Sequence, residues 1–318
     1  MSAIAASVIL CTHNPRADYL KATLESLRAQ TLDCASSWEL LVIDNASDPH
    51  LAPSLDLSWH PRARVLREET IGLVHARRRG ILEAHGQLLV FVDDDNVLSP
   101  RYLRAALAIA QRHPEVGAFG GQIAPKFEVA PPAWTEKYWP MLAIRAFEND
   151  RWSNVHDDFA ALPCGAGMCV RAIVAQRWIE RLATDPIRAT LGRTGQQLLS
   201  GEDSDLAWTA CDMGLGVGVF TALQMTHLIP ARRLSENYLA QLIEGTTYSN
   251  IRLLSTRGPL MPLNLPRQWV SLAKAALGGR RSLRLARAAY RGRRDAHCLI
   301  ALEASRHSAA VRPVVHPA

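Results

Sequence analysis

Three times along its N-terminal third the chain runs through an apolar stretch and halts on a polar cluster: "SVILC" before "THNPR", "WELLV" before "IDNAS", and "LLVFV" before "DDDN". Short β-branched and apolar runs read as strands, and a run without polar alternation reads as a strand covered on both faces. Between them Leu20, Leu24 and Leu27 recur at helical spacing, the buried stripe of a first helix. "RARVLRE" reads as a shorter strand, and "IGLVHARRRGILEAHG" as a glycine-led turn into a helix closed by Gly86. A further helix is expected from Pro100 to about Arg112, with "VGAFGG" as a fifth strand. Strands alternating with helices of this length predict an α/β fold with a mostly parallel sheet. Ligands of such sheets bind outside the carboxyl ends of the strands, where all three polar clusters fall.

Past residue 121 the pattern loosens. "KFEVAPPAWTEKYWP" carries prolines and two tryptophans and reads as an ordered loop, and "CGAGMCVRAIVAQRW" as a glycine turn, a short strand and the start of a helix. In "LLSGEDSDLAWTACDMG", Gly201, Glu202 and Asp203 stand at the mouth of another helix that Gly214 ends. Gly214, Gly216 and Gly218 imitate a dinucleotide-binding loop, but no glycine follows at the required spacing. From Pro259 onward Leu, Ala and Arg alternate in helical fashion, with an apolar and a basic face. There is no internal repeat.

Charge changes this picture in one place. The net +6 is concentrated in the tail: from Arg252 onward thirteen Lys or Arg face two acids, so the rest of the chain is net negative. Such a strip attracts an anionic membrane surface, nucleic acid or an acidic partner. Without aromatic interleaving, nucleic acid is not the expected choice. The six cysteines, Cys34 among them, contain no CxxC pair and are expected as reduced, buried thiols. The opening residues lack the basic start of a secretory signal, and no run of about eighteen apolar residues marks a spanning helix. The expectation is a cytoplasmic protein, with the inner face of a membrane within reach of its tail.

Asp93, Asp94 and Asp95 repel one another at the end of a strand unless a cation or donor hydrogens neutralise them. Mg²⁺ or Mn²⁺ meets that need, since such ions take one or two carboxylates plus phosphate oxygens, which implies a phosphorylated ligand. The other reading is a solvated acidic turn capping the next helix. Asp203 has a comparable alternative as the cap of its own helix.

Taken in order, "SVILCTHNPR", "VIDNAS", "GLVHARRRGI", "FVDDDN" and "GED" resemble the family 2 glycosyltransferases of the GT-A fold, from about residue 7 to 238. The resemblance implies a GT-A domain over residues 1–250, with a nucleotide-sugar half (1–121) and an acceptor half (122–250), followed by a basic helical extension (251–318). It implies that Thr12, Asn14 and Arg16 border base and ribose, that Asp44 with Asn45 and Ser47 reads the base edge, and that Arg77 matches the family's arginine. Asp93, Asp94 and Asp95 become the DxD motif. Asp93 or Asp94 accepts from the ribose, and Asp95, joined by Asp93, holds Mn²⁺ or Mg²⁺. Asp203 becomes the general base, with Glu202 beside it and Asp205 the nearest competitor. His227 corresponds to a histidine that completes the metal shell. The chain departs from the family in reading "CTHN" where proline or valine more often precedes the threonine, and in Arg78 where asparagine is frequent. Neither departure alters the charges.

The function implied is inverting transfer of a sugar from a nucleoside-diphosphate sugar, UDP favoured, to the hydroxyl of a glycan or lipid-linked glycan in surface-polysaccharide assembly. A nucleotidyltransferase would carry a Gly-rich loop after its first strand, which "THNPR" lacks; a non-catalytic sugar-nucleotide-binding module is the remaining alternative. Trp134, Trp139 and Trp152 fall in the acceptor region and are expected to be buried, with stacking on a sugar ring as the alternative role.

Overall fold

A computed structural model describes residues 4–32, 37–194 and 198–310. Cys34 lies outside the described residues. The chain divides into two compact units, one formed by Met1–Gln196 with Glu202–Leu234 and the other by Gln197–Gly201 with Ser235–Ala318.

In the first unit, β1 (Ala6–Thr12), β2 (Trp38–Asn45), β3 (Ala63–Glu68) and β4 (Leu88–Asp93) are connected through α1 (Ala17–Arg28) and α2 (Leu73–Glu83). All four strands run parallel in the order β3-β2-β1-β4. Every residue of β1 is buried, as a strand covered on both faces requires. Val8, Leu10, Val42, Val90 and Val92 pack with Leu20 and Leu27 of α1, so the helical leucine stripe meets the continuous apolar strands in one core. Thr12 stands opposite Asp44 and Cys11 opposite Asp93, which aligns the polar ends of three adjacent strands.

The unit continues through β5 (Asn96–Leu98), α3 (Tyr102–Arg112), β6 (Val116–Phe127), β7 (Arg151–Ser153), β8 (Cys169–Arg171), α4 (Ala172–Thr184), α5 (Pro186–Ala189), α6 (Glu202–Asp212) and β9 (Gly216–Ile229). The sheet extends as β4-β8-β6-β9-β5. Short β8 lies antiparallel between β4 and β6, while β6 and β9 run parallel to each other. The result is a mostly parallel mixed sheet flanked by helices.

Several local expectations change. Helix α2 stops at Glu83 rather than at Gly86. Gly86 serves a close approach instead: a Cβ there would stand 2.5 Å from the Ser7 amide nitrogen. The proline-rich stretch contains a 3₁₀ helix, Ala133–Leu142. The strand begun by "VGAFGG" continues to Phe127, and β9 occupies a segment whose glycines and broken alternation hide a strand. Its Gly216 and Gly218 make room for the Trp152 ring, since an added Cβ would fall 2.8 Å and 3.1 Å from that side chain. Trp152 is itself 47% exposed, against the expected burial, and Trp134 and Trp139 are half-buried. Among the cysteines, Cys11 and Cys169 are buried and Cys298 is exposed, all as free thiols.

The second unit holds α7 (Glu236–Ser255), α8 (Leu265–Leu277) and α9 (Gly279–Ala310). It takes in α7 as well as the basic segment because α7 packs against α9, where Arg252 pairs with Glu303 at 2.6 Å. Among the described residues, no helix is long and apolar enough to cross a membrane.

Candidate active site

The ends of β1 and β2 form a tightly bonded floor. The Asn14 amide donates to Ser47 Oγ at 2.9 Å, and the Asp48 amide donates to Asn14 Oδ1 at 2.8 Å. Asn14 adopts a left-handed φ of 47°, which asparagine tolerates better than most residues. Asp44 is buried and accepts from the amides of Ser47 (3.0 Å) and Leu51 (3.1 Å) and from Arg67 Nη1 (2.8 Å). Burial alone would raise its carboxyl, but these donors hold it below the usual range. Asn45 donates to the carbonyls of Glu68 and Thr70 and accepts from the Gly72 amide, tying β2 to the turn before α2. Arg16 is exposed and paired with Asp18 at 2.8 Å and Glu128 at 2.9 Å.

The three aspartates after β4 take different partners. Thr12 Oγ1 donates a short hydrogen bond to Asp94. Burial, then the charges of Asp95 and Asp93, push the Asp94 carboxyl up to about 7. Asp93 is likewise raised, by burial first, although Arg77 opposes the shift. Asp95 goes the other way. Burial would raise it, but the neighbouring cationic groups hold it well below the ordinary carboxylate range.

Asp95 Oδ2 lies 2.9 Å from Arg233 Nη2 and 3.4 Å from His227 Nε2. His227 Nδ1 faces the Leu142 carbonyl at 2.9 Å and must donate there, so Nε2 presents its lone pair to Arg233 Nη1, also at 2.9 Å. A carboxylate and an imidazole thus converge on one cationic group, and this oxygen and nitrogen donor set suits Mn²⁺ or Mg²⁺. Among the described residues, no three His, Cys, Asp or Glu side chains gather as a metal cage, so an ion bound here would have only a partial protein shell. The residues fit a divalent ion that takes the place of the Arg233 guanidinium.

Across the cleft, α6 opens with Glu202, Asp203 and Asp205 in its first turn, where the helix dipole favours negative charge. Half-buried Asp203 accepts from the Gly165 amide at 3.0 Å and from the Ser204 amide at 2.8 Å. Glu202 is buried 3.4 Å from Arg77 Nη1, and burial followed by the Asp203 charge pushes its carboxyl up to about 7. Arg77 is buried on α2, its guanidinium carbon 5.5 Å from the centre of the Phe91 ring, and the charges of Glu202, Asp93 and Asp203 sustain its cation there. The α2 guanidinium therefore joins the acids after β4 to the acids of α6.

Asp205 points elsewhere. It is fully buried, accepts from Trp178 Nε1 at 2.8 Å, and forms a close ion pair with Arg188. Asp205→Ala should leave buried Arg188 with Asp185 alone and Trp178 Nε1 without its acceptor, and lower the unfolding free energy by about 3–5 kcal/mol. Asp203→Ala should cost only about 1–2 kcal/mol. Denaturant melts of the two variants check this difference, and equal losses would count against it.

A family model described as Glycosyl transferase family 2 matches residues 7–170, more than half of the chain. The chain belongs to that family. Among relatives of this family 2 glycosyltransferase, EpsH of Bacillus subtilis (strain 168), provisionally named a glycosyltransferase, is 30% identical over 113 residues, 35% of this chain and 31% of EpsH. An uncharacterised glycosyltransferase of Haemophilus influenzae is 29% identical over 111 residues, 35% of this chain and 36% of that protein. The chain thus spans about a third of the length of the relatives it matches. Two crystal structures share the fold. GalNAc-T7 with UDP, GalNAc and Mn²⁺ aligns with a TM-score of 0.51 at 18% identity, covering 76% of this chain and 48% of that one. TarS 1-349 of S. aureus with UDP-GlcNAc aligns with a TM-score of 0.50 at 16% identity, covering 79% and 70%. The architecture of this family 2 glycosyltransferase is therefore that of the GT-A enzymes.

Arg67, Arg193 and Arg233 were not singled out in the sequence. Arg67 sits on β3, where its positive charge reads as an exposed strand position, yet it pairs with Asp44. Arg193 acts on Asp93, Asp95 and Glu202 from an irregular segment with no periodicity. Arg233 had a usable signal: adjacent arginines six residues after a candidate ligand histidine, "HLIPARR".

Proposed function

We propose that this chain transfers a sugar, with inversion, from a UDP-sugar to the hydroxyl of a glycan or lipid-linked glycan acceptor. The observation that carries the reading is the meeting of acids from two sources, the end of β4 and the start of α6, around the buried guanidinium of Arg77. A donor laid across the ends of β1, β2 and β4 meets Asp44 at its base, Thr12 and Asp94 at its ribose, and Asp95 near its diphosphate. The UDP and Mn²⁺ in the GalNAc-T7 crystal and the UDP-GlcNAc in the TarS crystal support this donor class.

Asp95 and His227, with Asp93 nearby, would hold the divalent ion, which offsets the charge that grows on the departing diphosphate. The chain's own residues do the rest. Asp44 and the Asn14–Ser47 floor position the nucleoside, which reduces the reaction to attack by one hydroxyl. Asp203 takes the acceptor proton as the acceptor oxygen bonds to the anomeric carbon and the bond to the diphosphate oxygen breaks. One displacement of this kind inverts the anomeric centre. Arg77 holds Glu202 beside Asp203 and places one buried positive charge among the acids of this region. The acceptor side is assigned to the 3₁₀ segment carrying Trp134 and Trp139, because its last residue, Leu142, receives the His227 hydrogen bond.

Thermal melts with UDP, GDP, dTDP and CMP, each with and without Mn²⁺, test the donor. UDP with Mn²⁺ should stabilise the chain most, by about 2.7 kcal/mol at a hundred times Kd. No response to any nucleotide, with or without the ion, would refute the reading.

A further inference from the structure

Between Glu244 and Asp295 the chain carries eleven Lys or Arg and not one acid. This stretch includes α8, a helix with no buried residue. Half-buried Gln268, Leu272 and Ala275 recur at helical spacing and mark the side laid on α9, where Arg293 donates to Gln268. The adjoining face is apolar, with Trp269 at its inner part near the Tyr290 ring of α9. Leu265, Trp269, Val270, Ala273, Ala276 and Leu277 fall within one arc of about 140° on a helical wheel. Trp269 is 64% exposed, Leu277 91%, and Met261 just ahead of the helix 86%. Arg267 and Lys274 are exposed along the edge of this arc, and Arg280 and Arg281 follow its end.

We infer that α8 docks flat on an anionic lipid bilayer, its apolar arc in the interface and Arg267, Lys274 and Arg280 against lipid phosphates. Apolar side chains left this exposed need a low-dielectric surface, and tryptophan is suited to the headgroup boundary because it presents an apolar body with one donor. The cations along one edge of the arc and past its end select negative headgroups, and the absence of acids on this stretch removes repulsion from them. A symmetric contact with a second copy of the chain does not fit, since it would set one acid-free basic helix against another. Nucleic acid would use the cations but has no use for Leu277 and Val270. The docking involves the second unit alone and does not depend on the donor chemistry.

The test is sedimentation of the full chain with vesicles of phosphatidylcholine alone and of phosphatidylcholine mixed with phosphatidylglycerol, with soluble polyglutamate and heparin as competitors. The chain should pellet with the anionic vesicles only, and less at high salt. The double variant Trp269→Ser/Leu277→Ser should lower the partition coefficient about tenfold or more while leaving the melting curve unchanged. Arg267→Glu/Lys274→Glu should lower it to a similar extent. An unchanged partition in either variant overturns the assignment. So does a chain that ignores vesicles and binds polyglutamate, which would give the arc to an acidic protein, or one that binds only heparin, which would give it to a polyanion.

Discussion

Asp203→Asn should lower kcat by about 10²–10⁴-fold while leaving UDP affinity within about twofold. The substitution keeps the size of the side chain and retains an acceptor for one of the two amides, Gly165 or Ser204, that its oxygens bind. It removes the charge that draws the acceptor proton. Folding should be little affected, because half-buried Asp203 loses at most one hydrogen bond, about 1 kcal/mol. Glu202 does not substitute for it: that carboxyl is buried against Arg77 and pushed up to about 7, so part of it is protonated at neutral pH. The measurement is release of UDP from the sugar nucleotide with acceptor present, beside a UDP titration followed by thermal shift. Full turnover by the asparagine variant would move the base away from Asp203, and a loss confined to KM would recast Asp203 as a binding group.

The difference between Asp203 and Asp205 also marks what the sequence makes legible. Both lie in "GEDSD", and helical register alone separates them by about 200°, enough to put one on the core face. Which one faces the core depends on Arg188 and Trp178, partners that lie elsewhere in the chain and carry no spacing signal. The strand-end clusters were easier to read. In β1, β2 and β4 a continuous apolar run stops on polar residues, and parallel pairing aligns those stops without further information. Strand β9 obscures the same logic, because Gly216 and Gly218, which leave room for the Trp152 side chain, weaken its strand signal and an irregularity after Phe220 shifts its register. Arg16 stands beside the polar cluster in sequence, and its pairing with Glu128, far away in the chain, carries no spacing signal.

Asp95→Asn should lower Mn²⁺ affinity about 10–100-fold or more, the range seen when even an outer partner of a metal site is lost, whereas Arg233→Met should raise it. The opposite signs follow from one arrangement, in which Arg233 occupies the position between Asp95 Oδ2 and His227 Nε2 that a divalent ion would take. Removing the guanidinium leaves Asp95 buried without its nearest cationic partner. The metal-free Arg233→Met chain should therefore unfold more readily, by about 3–5 kcal/mol, and recover most of that loss when Mn²⁺ is added. Asp95→Asn should show the reverse, a smaller response to the ion and weaker UDP binding in its presence. Calorimetric titration of Mn²⁺ into both variants, with melting curves in chelator and in excess metal, measures each effect without reliance on turnover. Unchanged Mn²⁺ affinity in Asp95→Asn would remove the ion from the end of β4. Unchanged metal response in Arg233→Met would mean that guanidinium and ion do not share a position, leaving Arg233 a structural partner of Asp95 alone.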